Sequence, residues 1–350
     1  MRFKILFVSL MCMFFSSCSN VELAENESSY NDIYVETLSK QTFFDKDLAT
    51  IDFMHSVDKL NYKYSSIMTL DLGKWARRIC SGAVDASIGA VAAPITFGAG
   101  VLASFVASAL YDEYLDYLLV KNGLNQEHVF IPDSSQLLNV SEMKGVEINL
   151  ERNTVYFENI SLPPSVVDSV GGLHNLLLSK LKKNGKKYIA SNGVMDYDGL
   201  FSDAQRLYLL TTAGKEVILP DSITQENMRN NTPESIHEAI RSFTKLFIVR
   251  MNPIEEDFDF ADSFEMARLN SIDKLNVDRD TFDDVRELGQ KMMGIVPNLS
   301  DKDFILYCKD LNDLINESHL DTNKKNQFKT FNNIFVNSNL YWKQKANDLK

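Results

Sequence analysis

In the stretch DSVGGLHNLLLSKLKK, His174 and Asn175 stand side by side. An imidazole titrates near neutral pH and can act as a general base or a ligand contact. On a helix it can also pack inward and bond a backbone carbonyl, and the sequence favours that second use. The remaining histidines, His55, His128, His237 and His319, are scattered without an HxxxH or HExxH pair. A zinc site would need them to converge by folding alone. No G-x-S-x-G, Walker loop or G-x-G-x-x-G occurs. Between Asn252 and Asp284 there are 11 acids against 3 bases. Asp278 and Asp280 have the spacing of a calcium-loop start, but the glycine and final glutamate of an EF-hand are missing. That stretch reads as a solvated acidic face. The chemistry-bearing residues thus point to no catalytic residue, no metal and no cofactor, and leave His174 and Asn175 as candidates for a functional pair.

A helix has to position that pair. Asp168 or Ser169 can cap it, and Leu173, Leu176, Leu177 and Leu181 make its apolar face. Gly171 and Gly172 suit a close backbone approach. The stretch resembles a D-x-V/I-G-x-x-H-N-x-x-L pattern in exported bacterial proteins of uncharacterised function that carry Gly/Ala-rich runs and a Ser-x-x-Tyr/Phe-Trp element. Here NSNLYW offers Ser338, Tyr341 and Trp342. The resemblance covers about a fifth of the chain, in disconnected pieces, and implies no activity.

Cys18 is the other reactive residue. Arg2 and Lys4 precede an uncharged apolar stretch, Ile5 to Phe15, followed by Ser16-Ser17-Cys18. This is the order of a secretory signal. At ~1.5 Å per residue the apolar stretch reaches about 17 Å against ~30 Å of hydrocarbon. Ser16-Ser17-Cys18 resembles the lipobox of bacterial lipoproteins, in which the thiol is acylated and the chain is cut before it. The resemblance implies lipidation of Cys18, and Ser19 after it implies passage to the outer membrane of a Gram-negative cell, facing the periplasm or the outside. Several acyl chains suffice for stable anchoring. The polar, acidic SNVELAENESSYND that follows reads as a solvated tether.

Removing residues 1–17 from the 350 leaves 333, enough for one large or two medium domains, and takes the net charge from -12 to -14. So acidic a chain is a poor partner for nucleic acid, whose phosphates need Lys/Arg. Apart from Cys18, the mature thiols are Cys80 and Cys308. Both sit in apolar surroundings and are expected to be separate buried thiols. The lysines Lys180, Lys182, Lys183, Lys186 and Lys187 could pair with the acidic stretch or touch anionic lipid.

The element pattern predicts a mainly α fold. It is a helical bundle around a buried Gly/Ala-rich hairpin, with a small β-hairpin or sheet in the middle. After the signal peptide and a tether over 18–32 come a helical region (33–125), a mixed region (126–231) and a second helical region (232–350). Phe43, Phe44, Leu48, Ile51, Phe53 and Met54 suggest one buried stripe. Val146, Ile148 and Leu150 alternate with Glu147 and Asn149, which predicts a strand with a partner at 154–160, and KEVILP at 215–220 is a further candidate. Thr232 and Ser300 are placed to cap helices, and a last helix is expected over about 323–346.

The segment over 79–119 stands apart. From Ala86 to Tyr111 there is no charge. Gly82, Ala86 and Ala90 make one small-residue stripe, and Gly100, Ser104 and Ser108 another. Such stripes let helices approach closely, in membranes or out of them. Pro94, Gly98 and Gly100 argue for two half-helices, roughly 79–93 and 99–119. Buried in the domain, the pair is a core hairpin; released, it could enter a bilayer. The sequence therefore favours a non-enzymatic, lipid-anchored protein that works by contact with a protein partner. The alternative is a membrane-active, toxin-like effector that inserts 79–119, and an enzyme using His174 is a third reading.

Overall fold

A computed structural model of the chain describes residues 47–67, 76–93, 97–124, 143–149, 154–157, 170–213, 234–252, 259–271 and 279–348. Cys18, the tether, Phe43 and Phe44, the 215–220 candidate strand, Thr232 and the Asp168/Ser169 cap lie outside them.

The fold is mainly α with one small β-hairpin. α1 (Leu48–Ser65) starts at Asp47, whose carboxylate accepts the Thr50 N–H at 2.8 Å. It buries Phe53, Met54, Val57, Leu60 and Tyr64. Leu48, assigned to this stripe from sequence, is instead 79% exposed. Five residues from Phe53 is about 140° around a helix, which turns Leu48 outward.

The Gly/Ala-rich segment forms α2 (Ala76–Ala92) and α3 (Phe97–Lys121). The break falls in the interval that holds Pro94. α3 ends as its sequence demands: Gly123 takes φ 65°, and the Leu124 N–H bonds back to the Leu119 carbonyl at 2.8 Å. That is a Schellman-type stop, which requires a residue tolerant of positive φ. β1 (Val146–Asn149) and β2 (Thr154–Phe157) pair antiparallel, with Ile148 opposite Val155. α4 (Val170–Lys182) and α5 (Tyr197–Ala213) follow, separated by a turn with an Ile189–Met195 bridge.

The C-terminal half is α6 (Glu234–Arg250), α7 (Phe260–Leu269), α8 (Arg279–Met293), α9 (Asp301–Glu317) and α10 (Thr322–Asp348). Ser300 caps α9, its hydroxyl accepting the Asp303 N–H at 3.2 Å. Phe243, Phe247, Phe260, Phe264 and Phe282 form an aromatic cluster between α6, α7 and α8, with Phe243 and Phe264 rings 5.0 Å apart.

The acidic stretch is not simply a solvated face. Glu265, Asp283 and Asp284 are buried. Glu265 chelates Arg268 through two hydrogen bonds, with Asp283 4.0 Å from the same guanidinium. Lys324 reaches Asp284 at 2.9 Å from α10. Arg268 is a neighbour on the same helix, but Lys324 comes from an element far along the chain, and burial itself depends on packing, so a local charge count reads the stretch as exposed.

α2 is the centre of the molecule. It packs most extensively against α10 and α3, and touches α6 and α8 as well. From Arg78 to Ala92 every residue is buried. No helix among the described residues is long and apolar enough to cross a membrane.

Candidate functional site

The small-residue stripes determine how closely α2 is held. A Cβ added to Gly82 would lie 2.7 Å from the Asn339 amide nitrogen and 3.1 Å from the Phe335 ring, so this stripe faces α10. Ala86 and Ala90 continue it and are fully buried. Gln327 of α10 reaches the Ala90 carbonyl at 3.4 Å. On the other side, a Cβ on Gly100 would meet the Gly89 carbonyl oxygen at 2.8 Å. Ser104 bonds back to the Val101 carbonyl at 2.9 Å, and Ser108 donates to Asp85 at 2.8 Å.

α4 comes in against α10 and β2 through its two glycines. A side chain at Gly171 would strike the Asn333 carbonyl at 2.4 Å, and one at Gly172 would meet Thr154 at 2.9 Å. The approach puts His174 and Asn175 inside, both with no exposed surface. Asn175 donates its amide N–H to the Asn337 carbonyl at 2.8 Å, which fixes the orientation of the group. Its Oδ1 then faces His174 Nδ1 at 3.0 Å. An amide oxygen only accepts, so Nδ1 carries the hydrogen and Nε2 presents a lone pair. That lone pair looks at Asp85, whose Oδ2 is 3.6 Å away.

Asp85 is the hub of four helices. Its Oδ2 accepts from Ser108 of α3 and Ser338 of α10, while His174 faces it from α4. Burial pushes its carboxyl up to about 8, against hydrogen bonds from Ser338, Ser108 and Trp342 that favour the ionised form. Burial pushes the His174 imidazole down to about 4. The 3.6 Å approach has the geometry of an ion pair, but both groups are neutral at pH 7, because desolvation is the larger effect on each.

Beside this knot, Asn337 of α10 serves as a clamp. Its Oδ1 accepts the Val155 N–H at 2.8 Å and its Nδ2 donates to the Val155 carbonyl at 3.2 Å. One helical amide thus stands in for a neighbouring strand at the edge of β2. Two sequence pieces set apart by resemblance, the one around His174 and the one around Trp342, meet here in space. Asp85 and Asn337 were not singled out from sequence. The available signal for Asp85 was a lone carboxylate in a run of small residues.

Chemically, Asp85, His174, Ser108 and Ser338 are the residue types of a hydrolytic site, but their arrangement differs. The hydroxyls bond the carboxyl and not the imidazole, and all four side chains are fully buried. Such an arrangement ties helices together. His55 and His319 are exposed and far in sequence from this knot. Among the described residues no group of three or more His, Cys, Asp or Glu could hold a metal ion. Cys80 and Cys308 are separate free buried thiols, Cys80 pushed up to about 12 by burial.

Two members of the lysine run have carboxylate partners outside the acidic stretch. Lys182 bonds Asp112 at 2.8 Å and lies 4.4 Å over the Trp342 ring, and Lys186 bonds Asp203 at 2.7 Å. A shallow cleft opens elsewhere, where Asp301 accepts from both Arg78 and Lys343 above Phe304, Ile305, Val336 and Leu340. No protein-family model matches this chain, and no curated protein or solved structure matches it either.

Proposed function

We propose that this chain is an exported bacterial lipoprotein, anchored to the outer membrane through acylated Cys18, whose helical domain works by protein contact and not by catalysis. The observation that carries the anchor is the charged start, apolar stretch and Ser16-Ser17-Cys18 order of the first residues. What weighs against insertion of the hairpin is where the small residues lie. Gly82, Gly89 and Gly100 seat α2 against α10 and α3, so the hairpin serves as the packing centre. His174 is supported as a packing residue by its full burial and its Asn175 bond.

The test is metabolic labelling of the full-length protein with palmitate, alongside Cys18→Ser. Label on the wild type and none on the variant supports the reading, and an unlabelled wild type removes the anchor. Liposome flotation of the unlipidated variant then separates the two modes of membrane attachment. Sedimentation leaves Cys18 as the attachment point. Flotation that is lost on deleting 79–119 moves the function to bilayer insertion by the hairpin.

A further inference from the structure

We propose that Asp85 and His174 form a single-proton latch: the α2 seams with α3, α4 and α10 are closed while the pair holds one proton, and they loosen when that proton leaves. The geometry carries this. Asn175 is pinned by the Asn337 carbonyl, so His174 Nδ1 holds the ring's hydrogen and Nε2 turns a lone pair toward Asp85. Oδ2 of Asp85 is already the acceptor for two hydroxyls. Trp342 is the third donor to the carboxyl. When the carboxyl gives up its proton, a full negative charge appears opposite an imidazole lone pair, on a side chain with no exposed surface, where a charge is costly to keep.

The neighbouring charges do not neutralise it. On α3, Asp112 raises the Asp85 pKa further by like charge. On α4, Lys182 is bonded to Asp112 at 2.8 Å. On α10, Lys343 bonds Asp301, and burial pushes the Tyr341 phenol well above its usual range. On α2 itself, Arg78 also bonds Asp301, at 2.8 Å. From α8, Asp284 is held by Lys324. On β2, Tyr156 is 36% exposed. Among the described residues, His174 is a basic group within 4 Å of the Asp85 carboxyl, and its imidazole is neutral at this pH.

The direction of the response follows from linkage. Asp85 titrates at about 8 in the fold against 3.8 in the open chain, so opening releases a proton between those values. His174 titrates at about 4 against 6.5, so opening takes one up between those values. The two offset each other from pH 4 to 6.5. From 6.5 to 8 only the Asp85 effect remains, and the opening constant rises about tenfold per pH unit, then levels off.

The experiment is amide hydrogen exchange of the full-length protein from pH 6 to 9, corrected for intrinsic base catalysis, read at Ser81–Val91 of α2. The expected result is a loss of protection of about 30-fold between pH 6.5 and 8, with a plateau above. Asp85→Asn is neutral at every pH and, with its amide oxygen in the place of Oδ2, can accept from the same two hydroxyls. It should stay protected with no pH slope. Should that variant fail to fold, carboxyl ¹³C and imidazole ¹⁵N spectra of the unmodified protein decide. An Asp85 carboxyl titrating below pH 6, a hydrogen on His174 Nε2, or an α2 protection without pH dependence overturns the latch.

Discussion

Asn337 makes the two bonds that a strand partner would make, and its removal orphans both polar groups of Val155. Each buried unsatisfied group costs about 1–3 kcal/mol. Asn337→Ala should therefore lower the unfolding free energy by about 2–4 kcal/mol in urea titration, with an unchanged slope. Asn337→Asp keeps the acceptor for the Val155 N–H but buries a carboxylate against the Val155 and Asn333 carbonyls, so it should be at least as destabilising as the alanine variant at pH 7. Lys324 is a second residue whose role lies in what it neutralises. It bonds Asp47 at 2.7 Å and the buried Asp284 at 2.9 Å. Taking this ammonium from a buried carboxylate costs about 3 kcal/mol or more, so Lys324→Met should be strongly destabilising at pH 7. The Lys324 bond holds the Asp47 carboxyl down to about 2 from 3.8. Its contribution is complete above pH 3.8 and is lost as pH falls toward 2. The gap between variant and wild type in thermal unfolding should accordingly narrow as the pH drops below 4. Neither residue was legible in the sequence. An asparagine on a helix rich in asparagine and a lysine near a helix start look like surface residues until distant partners are brought to them.

Elements were the most legible level. α9 and α10, the division of the Gly/Ala-rich segment into α2 and α3 and the β1–β2 hairpin all follow from periodicity and punctuation. Those signals are local, and so are the forces that set them. Which face a stripe turns to, and which acids go inside, depend on long-range packing; Leu48 and Glu265 are the cases where local reading falls short. The α2–α3 contact offers a sharper test of the small-residue stripes. Alanine favours a helix over glycine by about 1 kcal/mol. At Gly100 the added methyl would meet a backbone carbonyl at 2.8 Å, which cannot swing away. At Gly89 the nearest atom, at 2.4 Å, is the end of the flexible Ile334 side chain, although Ser104 stands at 3.1 Å. Overpacking costs about 1–3 kcal/mol, so Gly100→Ala should lower the melting temperature more than Gly89→Ala does.

At the scale of the molecule, the thiols report on how well the core is closed. Cys80 lies in α2 and Cys308 in α9, both buried and unpaired with one another. Their acidities are suppressed by burial, and the thiolate is the reactive form. A maleimide reagent applied to the native protein should leave both unmodified in peptide mass spectra, and label both in denaturant. Labelling of Cys80 alone under native conditions would locate an opening at α2. A reducing agent should not shift the melting temperature through these two residues.

The position of α10 in the chain has a consequence for how the protein is made. This last helix provides the widest packing surface for α2 and also holds α4 and β2. A ribosome releases residues 76–182 long before it has made 322–348. Until then Asp85 lacks Ser338, Val155 lacks Asn337 and the groove beside Gly82 is unfilled. A chain ending at Asp321 should consequently be digested by trypsin at least as fast as the urea-unfolded protein. Under the export proposed above, a core that closes only once α10 has been made keeps the chain thin and passable until then.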